Sequence, residues 1–128
     1  MDSAMSISVS GMQAASLRLN AAASNIVNAN SDGAVSASAG AYQPVSVAQS
    51  ATPGGGTSAS LQPVTPSSLL AYNPSSPYAN VQGMVAQPNV DLPTELVNMK
   101  EAANDFRASL AAYKTSSEMF KSLLDATA

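Results

Sequence analysis

Glu101 and Asp105 stand four residues apart, a spacing that sets two carboxylates on one helix face, as a general acid and its partner base would need. No pocket-forming motif flanks them. Glu118 and Asp125 extend the acids along the same predicted helix, so the four read as its solvated outer face. Asn28-Ala-Asn-Ser-Asp-Gly33 opens like a calcium loop, with side-chain oxygens at its first, third and fifth positions and glycine at its sixth. The twelfth position is Ala39 where a bidentate Glu belongs, and the stretch holds one carboxylate. It reads instead as a helix stop, with Asn and Gly taking left-handed conformations. Gly54-Gly-Gly56 is not followed by Gly-Lys-Ser/Thr, so it is no phosphate loop and reads as a linker.

The chain has no His, Cys or Trp. A Ser-His-Asp or Cys-His unit cannot be built, disulfides cannot form, and zinc, haem and iron–sulfur sites lose their usual ligands. Five cations against eight acids, a net charge of -3, give no means of holding nucleic acid through its phosphates. The expectation is a non-enzymatic protein with no cofactor, no metal and no nucleic-acid partner. The first 20 residues have Asp2, no basic leader and no unbroken apolar run, so a cleaved signal peptide is not expected. No apolar run reaches 18 residues, so no membrane insertion is expected.

The elements that would position these residues follow from how charge is distributed. Asp2, Arg18 and Asp32 precede residue 33, and every other charge lies from Asp91 onward. Residues 33–90 carry no charge, but hold seven of the eight prolines and six of the seven glycines. Three parts result: an N-terminal helix within residues 1–32, an uncharged Pro/Gly/Ser-rich region over 33–90, and a C-terminal helix within 91–128.

In the last part, Leu92, Leu96, Met99, Ala103, Phe106, Leu110, Tyr113, Ser117, Phe120 and Leu124 alternate in steps of four and three. That is the a/d seam of a coiled coil, with Leu96 at a and Met99 at d. Asp91 is placed to cap it, and Pro93 and Glu95 suit a first turn. Lys100, Arg107, Lys114 and Lys121 fall at e, each seven residues from the next. They read either as a flank covering the seam with aliphatic stems or as register selectors for an acidic neighbour. Glu95 is the one acid at g, so a parallel self-dimer would leave most of these cations without partners.

The N-terminal part repeats the period more weakly, with Met5, Met12, Leu19 and Ile26 seven apart over a helix expected from about Ala4 to Ala29. Gly11 and the many serines are mediocre helix formers, so this helix should need a packing partner. In the middle, Tyr42–Val47 and Ser68–Tyr72 could be brief strands, Pro44 confining the first to a sheet edge. The fold expected is mainly α: long terminal helices in a coiled-coil-like pair around a small irregular or short-β centre. The two seams, Met5, Met12, Leu19 and Ile26 with Leu96, Met99, Phe106, Leu110, Tyr113, Phe120 and Leu124, are the expected subunit interface. A charge-free middle and small side chains suit a core completed by other chains.

Two passages resemble a known family. Ser10-Gly11-Met12, leading through Arg18-Leu19 to Asn25-Ile26-Val27-Asn28, is similar to the N-terminal pattern of the bacterial flagellar rod/hook axial proteins. Tyr72-Asn-Pro74-Ser-Ser-Pro77, continuing to Gly83-Met-Val-Ala-Gln-Pro88-Asn89-Val90-Asp91, resembles the passage before the C-terminal helix in basal-body rod members. Val27, Ser76 and Met84 depart from the usual Ala, His and Tyr. The resemblance implies a structural subunit of the proximal rod, whose helices assemble into a tube that transmits torque to hook and filament. It implies partners that are copies of itself and other rod, ring-adjacent and hook proteins. It also implies passage through the flagellar type III export apparatus to a periplasmic location in the basal body. The rival reading is a soluble helical adaptor or export chaperone that binds partners through the same seams.

Overall fold

The computed structural model describes residues 2–35 and 40–127. Helix α1 spans Asp2–Val27 and helix α2 spans Leu92–Thr127. Between them lie two antiparallel hairpins, β1 (Val45–Ala51) with β2 (Thr57–Pro63), and β3 (Ser68–Tyr72) with β4 (Met84–Pro88). The described chain is therefore helical at both ends with a small β centre. No helix in it is long and apolar enough to cross a membrane.

Asp91 caps α2 as its sequence position predicts. Its carboxylate accepts from the Thr94 amide at 3.3 Å and from the Thr94 hydroxyl, and its carbonyl accepts from the Glu95 amide at 3.0 Å. At the far end of α1, the Ser24 carbonyl accepts from both the backbone amide of Asn28 at 3.1 Å and its side-chain amide at 2.9 Å. The helix stops before Asn28, two residues earlier than expected, but not by the expected left-handed turn: among the described residues no Asn has positive φ, and Gly33 does not either.

The helices run antiparallel. Asn25 bonds Glu95, Arg18 reaches Glu101 and Asp105, and Gly11 lies against Ser109. The side chains between them are small. Ala14, Ala15, Ala21 and Ala22 of α1 are 2–6% exposed, and Ala102 of α2 is 0% exposed. A Cβ on Gly11 would stand 2.7 Å from the Ser109 hydroxyl, so glycine is what lets the helices approach there. At about 1.5 Å per residue, the 36 residues of α2 outreach the 26 of α1 by roughly 15 Å. In that overhang Met119, Phe120, Leu123 and Leu124 remain 40–57% exposed.

The middle is more regular than its composition suggests. Strand β1 begins at Val45, just after the fully buried Pro44, so the proline precedes the ladder. Strand β3 falls at the expected residues, whereas β2 and β4 lie outside the stretches expected as strands. Thr57-Ser-Ala-Ser-Leu-Gln-Pro63 is mostly small and polar, with weak β preference of its own. Pairing imposed by a tight turn decides it. That turn is the glycine triplet: Gly54, Gly55 and Gly56 have φ of 95°, 100° and 96°. The triplet is a hairpin turn and not a linker. Gly33, past the end of α1, bridges Ala86 of β4 through two backbone bonds of 2.8 and 2.9 Å, tying the second hairpin to the helical part.

Candidate functional site

Asn25 is the polar centre of the molecule. It is 1% exposed, and all its hydrogen-bonding capacity is used. Its amide donates to the Val45 carbonyl at 2.8 Å and to Glu95 Oε1 at 3.0 Å. Its carbonyl oxygen accepts from the Val45 amide at 3.0 Å and from the Tyr42 hydroxyl at 3.1 Å. Toward Val45 the side chain thus behaves as a strand neighbour would, giving and taking one bond with the same residue. One residue joins α1, α2 and the entry to β1.

Ser10 fixes the other end of the first hairpin. Its hydroxyl donates to the Ile7 carbonyl at 2.7 Å and accepts from the Thr57 amide at 3.1 Å. A Cβ on Gly55 would approach Ile7 Cδ1 to 2.8 Å, and one on Gly56 would approach the Ser10 hydroxyl to 2.6 Å. The Ser10-Gly11 pair therefore serves two partners: serine holds the glycine turn, and glycine admits α2. The sequence marks Ser10, Gly11 and Asn25 as parts of a pattern without showing what they touch. It does not link the glycine turn to Ser10, because nothing local joins Ser10 to Thr57, 47 positions away.

The second motif is a set of turns. Asn80 takes the Gln82 and Met84 amides on its side-chain oxygen, both at 2.9 Å, and Gly83 turns the chain at φ 74°. A Cβ on Gly83 would meet the Tyr72 ring at 2.8 Å and Pro74 at 3.2 Å. Asn89 donates to the Pro66 carbonyl at 3.0 Å, pinning the loop before β3 to the entry of α2. Pro88 is buried, Asn89 and Val90 are half-buried, and Tyr72, Pro74, Pro77 and Asp91 are exposed.

The residues that could do chemistry are structural in this setting. Arg18 Nη1 lies 2.6 Å from Asp105 and Nη2 lies 3.4 Å from Glu101, so the spaced acid pair is a clamp for an α1 cation. Of the calcium-like stretch, Asn28 donates to the Ser24 carbonyl and Asp32 Oδ2 accepts from Asn73 at 3.4 Å. Ala39 lies outside the described residues. Among the described residues no group of three acidic side chains is placed to hold a metal ion.

The apolar seams lie to the side of the buried face. Met5, Met12, Leu19 and Ile26 are half-buried, while the alanines beside them make the contact with α2. On α2, Met99, Leu110 and Tyr113 are half-buried; Leu96, Phe106, Phe120 and Leu124 are 47%, 37%, 40% and 54% exposed. Large apolar side chains thus form a strip along α2 that the chain does not cover itself. Lys100, Arg107, Lys114 and Lys121 are exposed beside it.

Two family models match the two helical ends. One described as a flagella basal body rod protein matches residues 5–34, and one described as the C-terminal part of flagellar basal body rod FlgEFG proteins matches residues 81–126. The chain is 35% identical over 122 residues to the flagellar basal-body rod protein FlgC of Escherichia coli O157:H7, covering 91% of each chain. The same figures hold for FlgC of Salmonella typhimurium. Against FlgC of Aquifex aeolicus the identity is 29% over 126 residues, covering 96% of this chain and 94% of that one.

Proposed function

The chain belongs to the FlgC family of flagellar basal-body rod proteins, and from that membership we propose that it is a structural, non-enzymatic subunit of the rod. One observation carries the reading beyond family: Leu96, Phe106, Phe120 and Leu124 of α2 are left largely outside the chain's own core. The helix pair closes on alanine, glycine and serine, and the seam from Leu96 to Leu124 faces outward. A chain that acts alone in water gains nothing from such a strip. A subunit packed among others gains, for each of these half-covered side chains that its neighbours finish burying, half of the roughly 1.5–3 kcal/mol that complete burial gives.

In this reading the coiled-coil-type contacts are made between subunits, α2 of one copy meeting helices of copies and of other rod proteins. Contacts of this head-to-tail kind do not close on themselves and so build a helical tube, here one that carries torque to hook and filament. The hairpins sit on the flank of the helix pair, where they suit the outer wall. The lack of cysteine and the alanine-built core suit a chain that passes through the type III export channel unfolded and folds again in the periplasm before it is built into the rod.

The test is genetic and structural. A strain lacking this chain should make no complete rod, and electron microscopy of its basal bodies should show the rod missing beyond the inner ring. Complete rods and normal swimming in that strain would overturn the proposal.

A further inference from the structure

Between α1 and α2, on the side of the exposed strip, lies an open groove of about 250 Å³ lined by Ala15, Ser16, Leu19, Ala103, Phe106 and Arg107. Its floor is small and apolar and its rim carries a cation, the form of a hole that takes one large side chain of a passing helix. Arg107 belongs to the row Lys100, Arg107, Lys114 and Lys121, all exposed and none within an ion pair among the described residues. From first to last the row runs about 32 Å along α2.

The acids of this chain do not match that row. Glu95 is engaged by Asn25, Glu101 and Asp105 by Arg18, Asp91 caps α2, and Asp32 accepts from Asn73. Glu118 and Asp125 remain among acids whose side chains are described, seven residues apart on the helix that also carries Lys114 and Lys121. Among the described acids, a second copy thus offers two without a hydrogen-bond or ion-pair partner inside the chain for a row of four cations.

We infer that the α2 strip and its basic row form a docking surface for an α-helix of a different protein, one with a large apolar residue for the Ala103–Phe106 groove and acids repeating every seven residues beside its own apolar seam. The apolar residues supply the contact and the charges choose the partner, since like charges set face to face reject a wrong helix more strongly than rim pairs reward the right one. The inference names the neighbour for the surface described under the proposed function, and rests on that reading for where the contact is made.

Two synthetic 28-residue helical peptides test it, identical in a leucine seam and differing only in carrying Glu or Lys at four successive positions beside it. Fluorescence anisotropy with the full chain should show the Glu peptide binding about tenfold tighter at low salt, the margin that four exposed pairs give together, and the preference shrinking as salt rises. A variant with Lys100→Glu, Arg107→Glu, Lys114→Glu and Lys121→Glu should reverse the preference, with its helical circular dichroism matching wild type as the check that it is folded. Equal affinities for both peptides, or the same preference in wild type and variant, would overturn the inference. So would sedimentation showing wild type and the reversed variant self-associating equally well through this face. None of these results alters the outcome of the deletion experiment, so the docking partner and the rod assignment fail separately.

Discussion

Helix α2 has two faces that are built on opposite rules. Toward α1 it presents Glu95, Ala102, Asp105 and Ser109, small or polar side chains with Ala102 wholly buried. Beside that contact it presents Leu96 and Phe106, 47% and 37% exposed, and beyond the reach of α1 it presents Phe120 and Leu124, 40% and 54% exposed. In a self-sufficient domain the assignment would be reversed, because buried area is what stabilises. The difference teaches that the inner face sets geometry, by close approach and by hydrogen bonds that specify one register. Under the proposed function, the exposed apolar residues supply association energy once neighbours cover them.

The sharpest way to break that contrast is at the inner face. Asn25→Leu removes four hydrogen bonds and leaves both polar groups of Val45 and the Glu95 carboxylate without their buried partner. A loss of about 3 kcal/mol is expected, large enough that hydrogen exchange on the isolated chain should show α1 and α2 separating. Protection equal to wild type would mean Asn25 does not hold the register. Next in size is Ala102→Leu, which puts a branched side chain where no space exists. About 1–3 kcal/mol should be lost, read as a fall in melting temperature of the isolated chain. An unchanged melting temperature would show that the two helices do not pack as closely as Ala102 implies. Smallest is Ser10→Ala, which takes away one acceptor at the hairpin turn and should cost about 1 kcal/mol. Its mark should be local, faster exchange of the Thr57 amide with α2 unaffected.

Much of this was legible in the sequence, and the reason differs by element. The a/d alternation along α2 and the Asp91 cap are local signals, so helix and start were readable from spacing alone. Strand β3 was readable because Leu69-Leu-Ala-Tyr72 is a short apolar run bounded by Pro66 and Pro74, too short for a helix. Strand β2 was not, since its conformation comes from a turn that requires three glycines with positive φ and from a serine far away in α1. The seams stand out as patterns, but which way they face does not. Periodicity marks a stripe of large residues, and the closest helix contact is made by small ones that carry no hydropathy signal. Asn25 stands out as part of a motif, while its four bonds to Tyr42, Val45 and Glu95 depend on tertiary structure and leave no trace in spacing.

The claim that the outer face of α2 exists for its neighbours is tested most directly by Leu96→Asp. Leu96 is 47% exposed and sits in the first turns of α2, where an added carboxylate suits the helix N-terminus, so the isolated chain should keep its fold. Quantifying the variant in purified basal bodies against its level in the cell is the measurement. The account predicts a normal cellular level and almost none in basal bodies, because the charge would be buried unpaired at a subunit contact. Wild-type incorporation with complete rods would contradict it.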